Sequence, residues 1–209
     1  MRVKGASRTD AGVHAKGQVV ALSTDSNLPA ETFTKAINYY LADGIAVLGT
    51  FDVPDDFDPR RGALSRVYRY VILNRKPPSP LESNRAYHFE RDLDVETMAK
   101  ATQSLVGTHN MWAFTSPSLA DVQKTVRTVH QAHTVRKGDK VFFEIEANSF
   151  LPQQIRRTVG ALLQVGIGKL SSADFSLMAE FGPPGAAGPV VPPWGLYLMR
   201  VKYPEGYPS

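Results

Sequence analysis

Ser65-Arg-Val-Tyr-Arg-Tyr-Val-Ile-Leu73 reads as a strand over 66–73. Alternation along it puts Tyr68 and Tyr70 on the same face. Pro77-Pro78-Ser79-Pro80 breaks the run. Asp94 then caps a helix carrying Val95, Met98, Thr102 and Leu105, with Gly107 as its stop. Two strands follow, at about 126–135 and 141–147, around the turn Lys137-Gly138-Asp139. Pro152 opens a helix with Ile155, Val159, Leu162 and Leu163 on one face. A short helix near 173–181 starts with Ser171 and Asp174 in a capping-box arrangement. The Gly/Pro-rich run 182–193 is a loop, and 195–203 closes as a strand. From Arg66 onward the order is strand, helix, two strands, helix, strand. That is the split βαβ, or ferredoxin-like, arrangement.

Ahead of Arg66 only the second half of such a unit is visible. A strand covers 18–24. Asn27-Leu28-Pro29 opens a helix bearing Phe33, Ile37, Tyr40 and Leu41, and Gly44 follows its end. Ile45, Val47, Phe51 and Val53 alternate as a strand, and 54–59 is an acidic loop. The expected fold class is α+β. Two ferredoxin-like halves form an extended, mostly antiparallel sheet flanked by helices, and the first half is N-terminally truncated.

At 209 residues the chain can bury a real core. A hydrophobic content of 43% against 21% charged residues is that of a globular chain, which sets disorder aside. A net charge of +4 favours a polyanionic partner without establishing one. The absence of cysteine excludes a disulfide framework and thiolate metal sites, and fits a reducing compartment. No run approaches a membrane span, and the polar opening residues give no signal peptide.

The stretch Lys4-Gly-Ala-Ser-Arg-Thr-Asp-Ala-Gly-Val-His-Ala-Lys-Gly-Gln18 sets one carboxylate, Asp10, between Arg8 and His14. Gly5, Ala11 and Gly12 leave room for a bulky group to approach the backbone. On spacing alone this is a surface turn, since Asp-Ala-Gly is ordinary turn chemistry. The wording says more. Gly5-Ala-Ser-Arg-Thr-Asp-Ala-Gly-Val-His-Ala15 closely resembles the catalytic signature of the TruA-type tRNA pseudouridine synthases. The resemblance continues through Ser65-Arg-Val-Tyr-Arg-Tyr-Val-Ile72, Glu146-Ala-Asn-Ser-Phe-Leu151, Ile155-Arg-Arg-Thr-Val-Gly160 and Pro193-Trp-Gly-Leu-Tyr-Leu198. It covers nearly the whole chain.

The resemblance implies an isomerase that converts uridine to pseudouridine in the tRNA anticodon stem-loop, usually at tRNA positions 38 to 40. It implies Asp10 as nucleophile. Arg156 would be the guanidinium partner that keeps Asp10 charged, because burial alone raises a carboxyl pKa. The target base must leave its stack. Arg8 would fill the gap, and Tyr68 would stack on the extruded uracil. Without the resemblance Arg8 is a phosphate or carboxylate partner, and Tyr68 and Tyr70 are core residues. It further implies a cytoplasmic homodimer, with one tRNA touching both subunits. The expected division is 1–62, a truncated subdomain with the catalytic loop, and 63–209, a ferredoxin-like subdomain. Family members carry a strand–helix segment ahead of the Arg-Thr-Asp motif. The alternatives are therefore a catalytically impaired RNA-binding fragment or a structural subunit.

Arg60, Arg61, Arg66, Arg69, Arg75 and Lys76 face only Asp58 among acids between 58 and 76. Interleaved with tyrosine, such a cluster suits an RNA backbone. Lys4, Lys16 and Arg157 are candidates to extend it. His14 has no second ligand at metal spacing, and His88, His109, His130 and His133 are scattered, so no metal site is expected. The reaction has no net redox change, so no cofactor is implied.

Overall fold

A computed structural model of the chain describes residues 3–116 and 125–207. The strand read over 66–73 is the long central strand of a sheet. In chain order the strands are β1 (Lys4–Gly5), β2 (His14–Ala15), β3 (Val20–Ala21), β4 (Ser65–Leu73), β5 (Tyr87–His88), β6 (Gly107–Asn110), β7 (Val126–Lys137), β8 (Lys140–Ala147) and β9 (Leu196–Lys202). The helices are α1 (Ala30–Tyr40), α2 (Val95–Gln103), α3 (Gln154–Gly166) and α4 (Ser172–Phe181). The main sheet runs β2-β9-β4-β8-β7-β6, with β5 added beside β4. Its core, β9-β4-β8-β7, is antiparallel at every step, as the split βαβ topology requires. The parallel pairs are β2 with β9 and β4 with β5. The fold is α+β, as expected.

Alternation on β4 and β8 sends Tyr68, Tyr70, Ile72, Val141, Phe143 and Ile145 to one face, where α2, α3 and α4 cover them. Val71 and Leu73 point the other way, into a small cluster with Ala86, Phe142 and Tyr197. α2 and α4 start at the caps read from the sequence, while α3 begins at Gln154, two residues after the expected Pro152. Asp94 accepts from the Thr97 amide at 3.0 Å, and Ser171 Oγ accepts from the Asp174 amide at 3.0 Å. α3 is buried along most of its length. At Gly160 a Cβ would lie 2.4 Å from the Pro189 carbonyl oxygen, so glycine lets the 182–193 loop rest on the helix.

The first 64 residues depart from expectation. Only Val20–Ala21 of the 18–24 strand is paired, to Lys4–Gly5. The motif read as a loop contributes His14–Ala15 to the main sheet. The strand expected over 45–53 does not form: those residues have no regular structure, and Ile45, Leu48 and Phe51 are exposed. Alternating apolar residues make a strand only with a neighbour to pair with. Here the Asn38 side chain takes both backbone groups of Val47 instead. Four short strands, β1, β2, β5 and β6, escaped the sequence reading. Gly107, expected as a helix stop, opens β6 while α2 ends at Gln103.

Candidate active site

Asp10 begins a tight turn. Its carbonyl accepts from the Val13 amide at 3.1 Å, and Gly12 takes φ 83°. A positive φ at the third residue is what glycine supplies in a type II turn. The turn is tied down on several sides. Buried Ala6 donates its amide to the Val19 carbonyl at 2.9 Å, and the Gln18 amide nitrogen donates to the Ser7 carbonyl at 2.8 Å. The Lys16 amide donates to the Leu198 carbonyl at 2.8 Å, fastening the far end to β9. His14 stacks on Tyr197 with centroids 4.6 Å apart, and its Nε2 lies 2.7 Å from the Asn84 carbonyl oxygen. His14 is thus a structural anchor of the loop.

Arg156 reaches this turn from the first helical turn of α3. Its Nη1 donates to Asp10 Oδ2 at 2.8 Å, between residues 146 positions apart in sequence. Its Nε donates to the Val191 carbonyl at 2.8 Å, which holds the guanidinium in one orientation. The Arg156 side chain is 14% exposed and that of Asp10 45%, so the carboxylate faces an open pocket and not a closed one.

The pocket has a volume of about 300 Å³, at the lower end for small-molecule sites. Arg8, Asp10, Tyr68, Phe150, Gln154 and Arg156 are among its walls. Tyr68, 5% exposed, packs edge-on to Phe150 at 5.3 Å. Its hydroxyl is 2.8 Å from Ser7 Oγ, and burial pushes its pKa upward. Tyr70 is fully buried and donates to the Pro192 carbonyl at 2.7 Å. Of the two tyrosines, Tyr68 therefore lines the pocket and Tyr70 belongs to the core. Arg8 is exposed at the rim, with no hydrogen bond or ion pair among the described residues. A larger cavity of about 410 Å³ lies between the 78–88 segment and Trp194. Its charged side chain Glu82 is occupied by Lys140 at 2.6 Å, and none of the sequence-derived site residues reaches it.

The basic cluster divides. Arg66 is buried, and its guanidinium donates to the carbonyls of Ala6, Arg60, Ala63 and Asn148, so it braces the site from within. Burial pulls its pKa downward. Arg69 pairs with Glu144 at 2.7 Å, and Arg75 with Asp139 at 3.1 Å. Arg157 donates to the Gly188 carbonyl at 2.8 Å. Arg60 and Arg61 remain exposed, and Arg60 lies at the pocket. Sequence reasoning missed Ser7, Phe150 and Gln154. Ser7 and Phe150 lie inside the stretches that carry the resemblance, and Gln154 lies two positions before Arg156; those were the available signals. Among the described residues no His, Cys, Asp or Glu cluster could hold a metal, and no helix is long and apolar enough to cross a membrane.

A fixed carboxylate, a guanidinium beside it and a buried aromatic wall can hold a flat ring and attack it. Residues 101–204 match the family model described as tRNA pseudouridine synthase. A tRNA pseudouridine synthase A from Methylacidiphilum infernorum is 41% identical over 207 residues, covering 99% of this chain and 81% of the relative. A tRNA pseudouridine synthase A 2 from Clostridium perfringens is 38% identical over 203 residues, covering 97% and 83%. One from Bartonella henselae is 37% identical over 206 residues, with 97% and 83% covered. The chain belongs to the TruA-type tRNA pseudouridine synthase family, whose members are isomerases.

Proposed function

We propose that this chain isomerises uridines of the tRNA anticodon stem-loop, at tRNA positions 38 to 40, with Asp10 as nucleophile. The observation that carries the reading is the Arg156–Asp10 contact at 2.8 Å in a pocket walled by Tyr68. The N1–C1′ bond breaks, the uracil turns, and C1′ bonds to C5. The C5 proton leaves and N1 gains one, so atoms and electrons balance without a redox partner. Asp10 attacks either C6 of the base or C1′ of the sugar, or assists an unsaturated sugar intermediate. Arg156 holds the carboxylate in register through a charge-assisted hydrogen bond. Tyr68 stacks on the extruded ring, and unpaired Arg8 enters the space the base leaves.

The 1–62 part supplies the nucleophile and Arg8, while 63–209 supplies Tyr68 and Arg156, so the site forms across that division. The working unit is a cytoplasmic homodimer with one tRNA touching both subunits. The test is to map pseudouridine in a tRNA pool incubated with the protein and with Asp10→Ala. New pseudouridine at 38 to 40 from the wild type alone supports the reading. Turnover by Asp10→Ala removes the nucleophile assignment, and modification elsewhere removes the positional one.

A further inference from the structure

Gln154 is 1% exposed, yet it lines the pocket beside Asp10 and Arg156. Its Oε1 accepts from the Leu151 amide at 2.8 Å. Its own amide donates to the Leu151 carbonyl at 3.1 Å, and its carbonyl accepts from Thr158 Oγ1 at 3.0 Å. The side-chain Nε2 has no partner among the described residues. A backbone N–H can face only an acceptor, so the Leu151 bond decides which end of the amide is oxygen. The amide therefore cannot turn round without stranding a buried N–H. Of the buried donors around it, the Arg66 amino nitrogens serve four carbonyls, Arg156 Nε and Nη1 serve Val191 and Asp10, and the Tyr68 hydroxyl is bonded to Ser7, while exposed Arg8 and Arg60 stand at the rim.

We propose that Gln154 is the uracil-selecting residue of this site, its Nε2 donating to O4 of the extruded base. The proposal rests on the reading that the pocket receives a uridine beside Asp10. At the same place cytosine carries an amino group, itself a donor. With Oε1 held by Leu151, Gln154 has nothing to offer that amine, and the pair would meet donor to donor. The turn of the ring during isomerisation strengthens the case. Moving C5 to where N1 stood is a half-rotation about the N3–C6 axis, which exchanges O4 with O2. A carbonyl oxygen then faces Nε2 before and after the turn, so one fixed donor serves substrate and product alike.

The test compares kcat/KM on tRNA carrying uridine or 4-thiouridine at the target position, for wild type, Gln154→Met and Gln154→Glu. Sulfur accepts a hydrogen bond poorly. Gln154→Met should lower kcat/KM on uridine by about 10- to 100-fold, the size of one lost hydrogen bond at a buried polar group. Gln154→Glu keeps an oxygen for the Leu151 amide, and so the local fold, but opposes an acceptor to O4. It should fall at least as far. The deciding readout is the thio effect: it should be large in wild type and nearly absent in Gln154→Met. Equal thio effects in wild type and variants, or a wild-type kcat/KM in Gln154→Met or Gln154→Glu, would overturn the assignment. Failure of the underlying site reading is separate, because it is seen as turnover by Asp10→Ala.

Discussion

Asp10 and Arg156 meet through one 2.8 Å contact, and Arg156 is itself held by Val191. Arg156→Lys keeps the charge but cannot serve both partners, since an ammonium is a point donor and the guanidinium a fork. We expect Arg156→Lys to lower kcat by about 10- to 100-fold, the loss of one charge-assisted hydrogen bond, with tRNA affinity little changed. A single-turnover assay beside a filter-binding titration checks both halves. Asp10→Asn should abolish turnover with tRNA affinity within a few-fold. For Tyr68, the phenylalanine variant loses only the Ser7 contact, while Tyr68→Leu also loses a stacking surface worth about 1–3 kcal/mol per base. Tyr70→Leu should instead lower the melting temperature, because that ring is buried and its hydroxyl is bonded to Pro192. If Tyr70→Leu impairs catalysis as much as Tyr68→Leu at equal stability, the division between them is wrong. That Asp10, Arg8, Tyr68 and Arg156 would meet at one pocket was legible because three separate stretches, 5–15, 65–72 and 155–160, resemble one family. Gln154 was not, because a glutamine earns its place only through what its amide faces in three dimensions.

Among the elements, β4, β8 and β9 are joined on the face away from the helices by Glu146. Ser65 Oγ donates to its Oε1 at 2.6 Å and Lys202 Nζ to its Oε2 at 2.8 Å. Burial would raise the Glu146 pKa, but the bonds from Lys202 and Ser65, with the Lys202 charge, outweigh it and leave it lowered. A carboxyl lowered in the folded state stabilises the fold above its unfolded pKa, and the effect is lost as pH falls through the folded one. Glu146→Gln should therefore be less stable than wild type at neutral pH by about 1–2 kcal/mol. The gap should close as pH drops below about 4, the ordinary glutamate range. Urea unfolding at several pH values measures it, and a gap independent of pH would refute the linkage. The alternation that revealed β4 and β8 also suggested a strand over 45–53. The first pattern had long neighbours to pair with; the second had none, and Asn38 took its backbone groups. Periodicity reports what a segment can do, and pairing decides whether it does so.

Across the whole molecule, burial is uneven. The 66–202 portion contains nearly all of the core, with α3 and the four central strands at its centre. Its order of elements was legible because helical and strand periods alternate cleanly there. The short edge strands β2 and β6 were not, since two and four residues are too few to show a period. By contrast α1 has no buried residue, Tyr40 on it is 84% exposed, and Leu48 beyond it is 87% exposed. Its hydrogen bonds to the 45–53 segment join Asn38 to Val47, and Thr34 and the Ala30 carbonyl to Thr50. Local opening should therefore be inexpensive in residues 30–53 and costly in α3 and β4. Native-state hydrogen exchange should give opening free energies near the global value, about 5–15 kcal/mol, for the core amides. For the α1 amides the values should lie several kcal/mol lower. The turn that carries Asp10 belongs to the first part of the chain but is fastened to β9 and to Arg66, so its amides from Ala6 to Lys16 should follow the core and not α1. Protection of α1 equal to that of α3 would mean that this face is covered in solution, and the natural follow-up is to repeat the exchange at several protein concentrations. A protection that rises with concentration assigns the cover to a second copy of the chain. One that does not change would refute the uneven distribution of stability argued here.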